Sequence, residues 1–282
     1  MHLGWLDILV LVTYLTSAIG IGLWVSGRAR GFEAYLLGDR DLPWWAILGS
    51  IVATETSTAT VLSVPGEAAG VPGNPDMPGY GMRFLQLAIG YIVGRTIIVQ
   101  VLLPLYFRGK LFTAYQVLQA RFGGLTQRAA SLLFLVTRNL GDGLRLYLAA
   151  LVLQQLAGWR FDVSVIAMGA VTILYTYFGG MRSVVWNDCI QLVIYMLGGV
   201  AAVFVIVSQI PGQWDELFRF AAAEHRFSLF NFDFNLAERY TFWAGLIGGA
   251  VLTIGTHGTD HMMVQRYLSA RSQRDAGFAI LT

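Results

Sequence analysis

Charged residues are scarce in this sequence. Asp, Glu, Lys and Arg make up 13% of the 282 residues, hydrophobic residues make up 56%, and the mean hydropathy is +0.59. A soluble globular domain carries about a quarter charged residues. The net charge is only +2 and no basic tract occurs, which argues against a nucleic-acid-binding protein. The composition therefore predicts a protein that lies largely in the lipid bilayer.

Cysteine is almost absent as well. The single residue, Cys189, cannot form an intramolecular disulfide, so cysteine usage gives no information about the compartment. The apolar stretch 6–25 lacks the features of a cleaved signal peptide, because Asp7 stands where a basic segment is required. Arg28 and Arg30 follow the stretch in place of a small-residue cleavage site. We expect a first membrane-spanning helix there.

Hydrophobic runs recur along the chain, and we number them helices one to eight. A helix of about 20 residues crosses the hydrocarbon core, and the runs lack the alternation of barrel strands. The runs are 6–25, 44–64, 84–107, 129–156, 163–178, 185–210 and 240–263, and an eighth begins near Ala276. We predict an all-α polytopic membrane protein, one transmembrane domain over 1–282 with about seven to eight helices. Because the eighth run is short at Thr282, we expect the N-terminal part of a longer protein.

Basic residues are distributed unequally between the two sides of this arrangement. When alternate loops are assigned to opposite sides, one side receives eleven Arg and Lys residues and the other receives five. The side with eleven is predicted to be cytoplasmic. This places the protein in the cell membrane with its N-terminus outside. The longest outside loop, 211–239, contains a segment at 214–224 whose pattern fits a short amphipathic helix at the interface.

Helix two carries six polar side chains between Thr54 and Thr60. Such side chains are costly at mid-membrane unless they face protein or a cavity. The threonines lower helix propensity, and an unwound turn would free carbonyl oxygens that suit a dehydrated sodium ion. In the alternative, the hydroxyls bond back to their own helix and bend it. The carboxylate of Glu55 favours a binding site, and we predict that the helix is unwound within 53–57.

Helix seven combines glycine with polar residues. Its glycines are Gly245, Gly248, Gly249, Gly255 and Gly258, and its polar residues are Thr253, Thr256, His257, Thr259, Asp260 and His261. Small residues alone are typical of close helix packing, but beside a polar run they favour a broken helix that lines a cavity. Two broken spans in one membrane protein indicate a transporter site. We expect helices two and seven to share that cavity.

A metal site is the competing interpretation of helix seven. His257 and His261 are spaced i, i+4 on one helix face, with Asp260 beside them. No third His or Cys occurs within helix seven, so a polar gate at the cytoplasmic end is the favoured interpretation.

Two further groups of charges lie within the spans. Arg138, Asp142 and Arg145 share one face of helix four, which predicts a cluster that neutralises itself. Asp188 is placed at the start of helix six, where a helix N-terminus favours a carboxylate.

Four groups of motifs occur in a fixed order between residues 35 and 266. They are 35–45 (YLLGDRDLPWW) with 53–57 (ATETS) and 64–66 (VPG); 103–107 (LPLYF) with 113–115 (TAY) and 121–123 (RFG); 175–180 (YTYFGG) with 185–188 (VWND) and Gln191; and 258–260 (GTD) with 264–266 (VQR). In type and order they resemble the sodium:solute symporter family. The resemblance implies a fold of two inverted five-helix repeats. It also implies symport of a small organic solute with sodium as the coupling ion and no other cofactor.

The resemblance also implies how the chain is divided. Residues 1–30 would hold an extra N-terminal helix, 43–210 the first repeat, 211–239 an extracellular loop, and 240–282 the start of the second repeat. The helix that completes the sodium site lies beyond Thr282 in the family, so this chain would hold at most half of that site.

Site residues follow from the same resemblance. Carbonyls of the first broken helix would coordinate sodium at Ala53 and Thr56, with Glu55 and Ser57 beside them and Asp188 on the sodium exit route. Solute would lie between the two broken helices; the candidates are Thr60, Thr253, Thr256 and His257. Where the family often has Thr before the aspartate, this chain has Asn187.

The solute itself is not readable from these residues, since the family carries sugars, amino acids, vitamins, sialic acids and monocarboxylates. A second hypothesis is a membrane sensor in which the helices are joined to a signalling domain. The sequence beyond Thr282 distinguishes it from a carrier. A third is an integral membrane metalloenzyme built on His257 and His261, which metal analysis would test.

Overall fold

The computed structural model describes residues 4–26, 31–71, 74, 79–108, 113–235 and 237–282. It is mainly helical, at 82%. No strand occurs within these ranges. Leu42 and Ala270 form a single isolated β-bridge there. The all-helical class predicted from the sequence is confirmed. Arg28, Arg30 and Lys110, which enter the orientation count, lie outside the described residues.

Each predicted hydrophobic run corresponds to helix, and several runs are divided. The α-helices are α1 (Trp5–Ser26), α2 (Phe32–Leu37), α3 (Trp44–Glu55), α4 (Thr58–Ala69), α5 (Leu87–Ile97), α6 (Leu103–Arg108), α7 (Gln116–Phe122), α8 (Gly124–Ala157), α9 (Phe161–Ser208), α10 (Gln213–Ala223), α11 (Phe242–Thr253), α12 (His261–Leu268) and α13 (Gln273–Leu281). Short 3₁₀ segments span Gly38–Arg40 and Gly81–Gln86, and π-helical segments span Ile98–Leu102 and Ile254–Thr259. The helix expected within 214–224 is present as α10.

Some helices of the described chain are long enough to span a membrane. Gly81–Arg108 and Gly179–Ser208 are each long and apolar enough to cross a bilayer. Two sharply bent pairs raise the number to four when each pair is counted as one span: α3 with α4, and α8 with the first part of α9.

Helices five and six, predicted as separate runs, are two helical parts of α9 that meet at a kink. Within α9, Gly180 has φ 57° and ψ −157°, which is outside the helical region. A Cβ atom at this position would lie 2.6 Å from the carbonyl oxygen of Tyr35, so glycine is required there. This kink lies between the two predicted runs, and the second run belongs to a separate apolar helix, Gly179–Ser208, that is long enough to cross a bilayer. The eighth helix begins at Gln273, three residues before the predicted start, because the Ser272 hydroxyl caps it.

Two glycines of helix seven, Gly245 and Gly249, have a packing role. α11 packs along α5, and a Cβ at Gly249 would lie 2.7 Å from the Leu87 carbonyl oxygen. A Cβ at Gly245 would lie 2.9 Å from the Gln86 carbonyl oxygen. These two glycines allow close helix packing.

The apolar core lies where α3, α12, α13 and the first π-helical segment meet. Its fully buried side chains include Ile47, Ile51, Ile98, Val264, Tyr267, Leu268 and Ile280. α1 packs along α9, and the buried amide of Asn187 donates to the Ala18 carbonyl at 3.3 Å. This core fixes α3 against α12 and so positions the polar groups at their ends.

Candidate functional site

The run predicted as helix two is divided at its polar segment. α3 and α4 are separated by two residues and inclined at 63°. The Ser57 N–H donates to the Glu55 carbonyl at 3.1 Å, and not to the Ala53 carbonyl four residues back. The Ser57 hydroxyl caps α4 and accepts from the Thr60 N–H at 3.4 Å. The carbonyls of Ala53 and Thr56 therefore lack their regular helical donors.

The carboxylate of Glu55 joins three helical runs at this break. Arg95 of α5 donates through Nη2 to both carboxylate oxygens, at 3.1 and 3.2 Å. His257 is hydrogen-bonded through Nε2 to Oε1 of Glu55, and its Nδ1 lies 2.9 Å from the Tyr267 hydroxyl. The His257 side chain is only 3% exposed, whereas that of Glu55 is 31% exposed. Glu55 is accessible at the break, and Arg95 already supplies its counter-charge.

Asp188 belongs to a second, more deeply buried network. Arg266 of α12 donates through Nη2 to Asp188 at 3.1 Å and through Nε to the Ser50 hydroxyl at 2.8 Å. The Ser50 hydroxyl donates in turn to Asp188, and the Thr54 hydroxyl lies 3.5 Å from the same carboxylate oxygen. The carboxylate is thus held by α3 and α12 together.

The position of Asp188 in its helix differs from the predicted one. It lies about two turns beyond the kink at Gly180, inside α9 and not at a helix N-terminus. The guanidinium of Arg266, rather than a helix N-terminus, stabilises the negative charge.

The predicted solute contacts do not all face one cavity. Thr253 is 1% exposed and lies over Gly94 of α5, and its hydroxyl has no hydrogen-bond partner among the described residues. The Thr256 hydroxyl bonds back to a carbonyl of its own helix at 3.0 Å. The Thr60 hydroxyl donates to the last carbonyl of α3 at 3.2 Å. Of the three candidates in helix seven, His257 is the one bonded to helix two.

The charges of helix four neutralise one another on one face, as predicted. Asp142 pairs with Arg138 at 3.0 Å and with Arg145 at 3.1 Å. Arg138 also reaches Asp260 at 3.3 Å, and Asp260 caps α12 by accepting from two of its first N–H groups. A cavity of about 210 Å³ opens beside these four charges and is also lined by Phe134, Thr137 and Gly141.

The two histidines of helix seven do not converge. His257 faces Glu55, whereas the ring of His261 packs against Tyr115 and Phe134 with centroids 6.1 and 6.0 Å away. Within the described ranges, no three His, Cys, Asp or Glu side chains are grouped as a metal site. The geometry gives no support to the metalloenzyme hypothesis.

Sequence reasoning missed Arg95 and Tyr267 as members of these networks, and it used Arg266 as a loop charge and a motif residue without assigning it a partner. The sequence did carry a signal for Arg95. This arginine lies inside the apolar run 84–107, and a charge there is costly without a partner. Its partner could not be identified, because 40 residues separate it from Glu55.

The fold is that of a helical membrane transporter. A solved structure described as the substrate-bound outward-open state of a Na⁺-coupled sialic acid symporter superposes with a TM-score of 0.85. It shares 24% sequence identity, and the match covers 99% of this chain and 56% of that one. At this identity the likeness establishes the fold alone.

A family model described as "SSF: Sodium:solute symporter family" matches residues 35–282. The chain belongs to the sodium:solute symporter family. Members of this family are membrane proteins with apolar helices that act as transporters.

Three relatives illustrate the similarity. The human (Homo sapiens) sodium/iodide cotransporter is 30% identical over 275 residues, and human sodium-coupled monocarboxylate transporter 2 is 28% identical over 268 residues. The sodium-dependent multivitamin transporter of Oryctolagus cuniculus is 28% identical over 277 residues. These matches cover 96%, 95% and 96% of this chain and 41%, 42% and 41% of the relatives. The chain spans about two fifths of their length.

Proposed function

We propose that this chain is the sodium-binding N-terminal part of a secondary active transporter. It would carry a small solute together with sodium across the cell membrane. The observation that supports this best is the break between α3 and α4, where the Ala53 and Thr56 carbonyls lack helical donors. A carbonyl without a donor inside a membrane needs another partner, and a partly dehydrated cation is one.

The proposed sodium site is built mainly from neutral oxygens. The Ala53 and Thr56 carbonyls bind the ion, and Ser57 keeps the second of these free by capping the Thr60 N–H. Glu55 lies between the two carbonyl positions in sequence, and its negative charge offsets the positive charge of Arg95 near the proposed site. Asp188 lies on the cytoplasmic route and is proposed to contact sodium only after Arg266 has moved.

The proposed solute is a small anion held between helices two, four and seven. Two relatives are named for iodide and for monocarboxylates, which are both small anions. In this chain, the cavity of about 210 Å³ is bordered by Arg138 and Arg145 together with Asp142 and Asp260, so an anion would bind there only if an arginine exchanged its carboxylate partner for the solute. Thr60, Thr253, Thr256 and His257 are proposed to complete the binding surface as the helices move.

The proposed arrangement in the membrane has seven to eight spans with the N-terminus outside. α3 with α4 forms one broken span, and α11, the second π-helical segment and α12 form another. Residues 43–210 are the first five-helix repeat, 1–30 precede it, 211–239 form the extracellular loop, and 240–282 open the second repeat. Substrate sites at broken spans are the common arrangement in inverted-repeat transporters.

Sodium binding tests this proposal without knowledge of the solute. Purified full-length protein should bind radioactive sodium saturably, and unlabelled sodium should displace it where the same concentration of potassium does not. If monodisperse protein binds no sodium above the potassium background, the proposal is wrong.

A further inference from the structure

The guanidinium of Arg95 lies directly beside the carboxylate of Glu55. Nη2 of Arg95 lies within 3.2 Å of both carboxylate oxygens, and Nη1 donates to the Ile280 carbonyl at 3.3 Å. The Arg95 side chain is 15% exposed. The arginine is thus held between the end of α3 and α13, with its charge directed at the carboxylate.

A carboxylate within the membrane needs a nearby positive charge. Sodium could supply it only when bound, whereas arginine stays protonated under all physiological conditions. Glu55 also bonds to His257 through one carboxylate oxygen, with Tyr267 behind the imidazole, and Tyr91 lies near enough to interact with it electrostatically. With Arg95 in place, the pair carries no net charge and offers a second sodium ion no electrostatic attraction.

We propose that Arg95 is a resident cation that replaces a second coupling ion at Glu55. The protein then binds sodium only through the neutral oxygens of the break, and Glu55 is not itself a sodium ligand. This inference rests on the proposed sodium symport and concerns how many sodium ions take part.

The same pairing recurs at Asp188. Arg266 donates to that carboxylate at 3.1 Å, and the two side chains are only 4% and 13% exposed. For Glu55, at the end of α3, and Asp188, which contacts α3, an arginine of the protein itself provides the positive charge. The positive charge of each transported sodium is consequently left for the solute to balance, which agrees with an anionic solute.

Counting bound sodium in charge-removed variants of the full-length protein tests the inference. The measurement is made with radioactive sodium at alkaline pH, so that protonation of Glu55 does not replace the missing charge. Arg95→Gln removes the guanidinium charge and leaves the carboxylate unpaired. We expect this variant to bind one sodium ion more than the wild type.

Glu55→Gln gives an independent result. It should bind the same number of sodium ions as the wild type, with an affinity lowered about tenfold because the charge of Arg95 is left uncompensated near the ion. The double variant Glu55→Gln/Arg95→Gln should recover the wild-type number and affinity. If Glu55 were a sodium ligand, the double variant would stay as weak as Glu55→Gln.

Arg160→Gln is the matched control. It also frees a carboxylate, that of Asp162, but this pair is 81% and 55% exposed and water can solvate the freed charge. It should bind the wild-type number of sodium ions.

Two results would overturn the inference: an unchanged sodium count in monodisperse Arg95→Gln, or a double variant as weak as Glu55→Gln. If Arg95→Gln fails to fold, the comparison of the double variant with Glu55→Gln tests the inference alone. Wild-type protein that binds no sodium would refute the proposed function and this inference together. Wild-type binding with either of the two results above would refute the inference alone.

Discussion

At the scale of single residues, Ser57 has two effects at the break. Its hydroxyl caps α4, and by accepting from the Thr60 N–H it keeps that donor away from the Thr56 carbonyl. Loss of an N-cap costs about 1 kcal/mol. Ser57→Ala should therefore weaken sodium binding several-fold, because the Thr60 N–H becomes free to return to the carbonyl.

The control for this prediction is Ser63→Ala, which removes an exposed hydroxyl from the same helix without removing a cap. Sodium affinity measured with both purified variants decides the question. Equal affinities for the two variants would remove Ser57 from the site.

The buried pair of Asp188 and Arg266 gives a second prediction at this scale. Removing one partner of a buried ion pair leaves an uncompensated charge and costs about 3–5 kcal/mol. Asp188→Asn should lower the thermal unfolding temperature of the solubilised protein strongly, and Asp188→Asn/Arg266→Gln should recover part of the loss. A double variant less stable than the single one would contradict the pairing.

At the scale of helices, the interface of α5 and α11 depends on which glycine is changed. A methyl group at Gly249 meets the backbone of α5 at 2.7 Å, whereas one at Gly248 meets nothing within 4 Å. Overpacking of this kind costs about 1–3 kcal/mol. Gly249→Ala should reduce the yield of monodisperse protein, and Gly248→Ala should leave it unchanged. Equal yields would show that the two helices do not approach this closely.

Hydrophobic periodicity was sufficient to locate these elements, but not to show how they join or pair. The runs 6–25 and 129–156 lie within α1 and α8, and the division of 44–64 falls inside the polar segment. The kink at Gly180 lies between the predicted runs 163–178 and 185–210, but an apolar sequence contains no sign of the backbone approach of Tyr35 that requires glycine there. The packing role of Gly245 and Gly249 could not be predicted, since the same residues permit either close packing or a break, and only the position of α5 distinguishes the two.

For the candidate site, too, the sequence located the residues but did not show which of them pair. Polar residues within apolar runs allowed helix two and His257 to be predicted as parts of a site, because a polar side chain in the membrane is costly unless it has a partner. The arginines that neutralise Glu55 and Asp188 come from 40 and 78 residues away in sequence. Pairing over such distances is set by helix packing, which no local pattern encodes.

At the scale of the whole molecule, the proposed orientation can be tested with single cysteines. In a Cys189→Ser background, Gly4→Cys and Asp215→Cys should react with a membrane-impermeant maleimide on intact cells, because both positions are proposed to be outside. Gln273→Cys, in an exposed position at the start of α13, should react only after permeabilisation. Labelling of Gln273→Cys on intact cells would reverse the topology.

Coupled transport is the central claim, and solute accumulation against a gradient measures it most directly. The full-length protein is reconstituted into liposomes with sodium outside and potassium inside, and uptake of a panel of small anions, including iodide and monocarboxylates, is followed. We predict that at least one of them rises transiently above its equilibrium level, and that the rise disappears when sodium is equal on both sides or is replaced by potassium. Uptake that reaches the same level in potassium as in sodium would contradict the account.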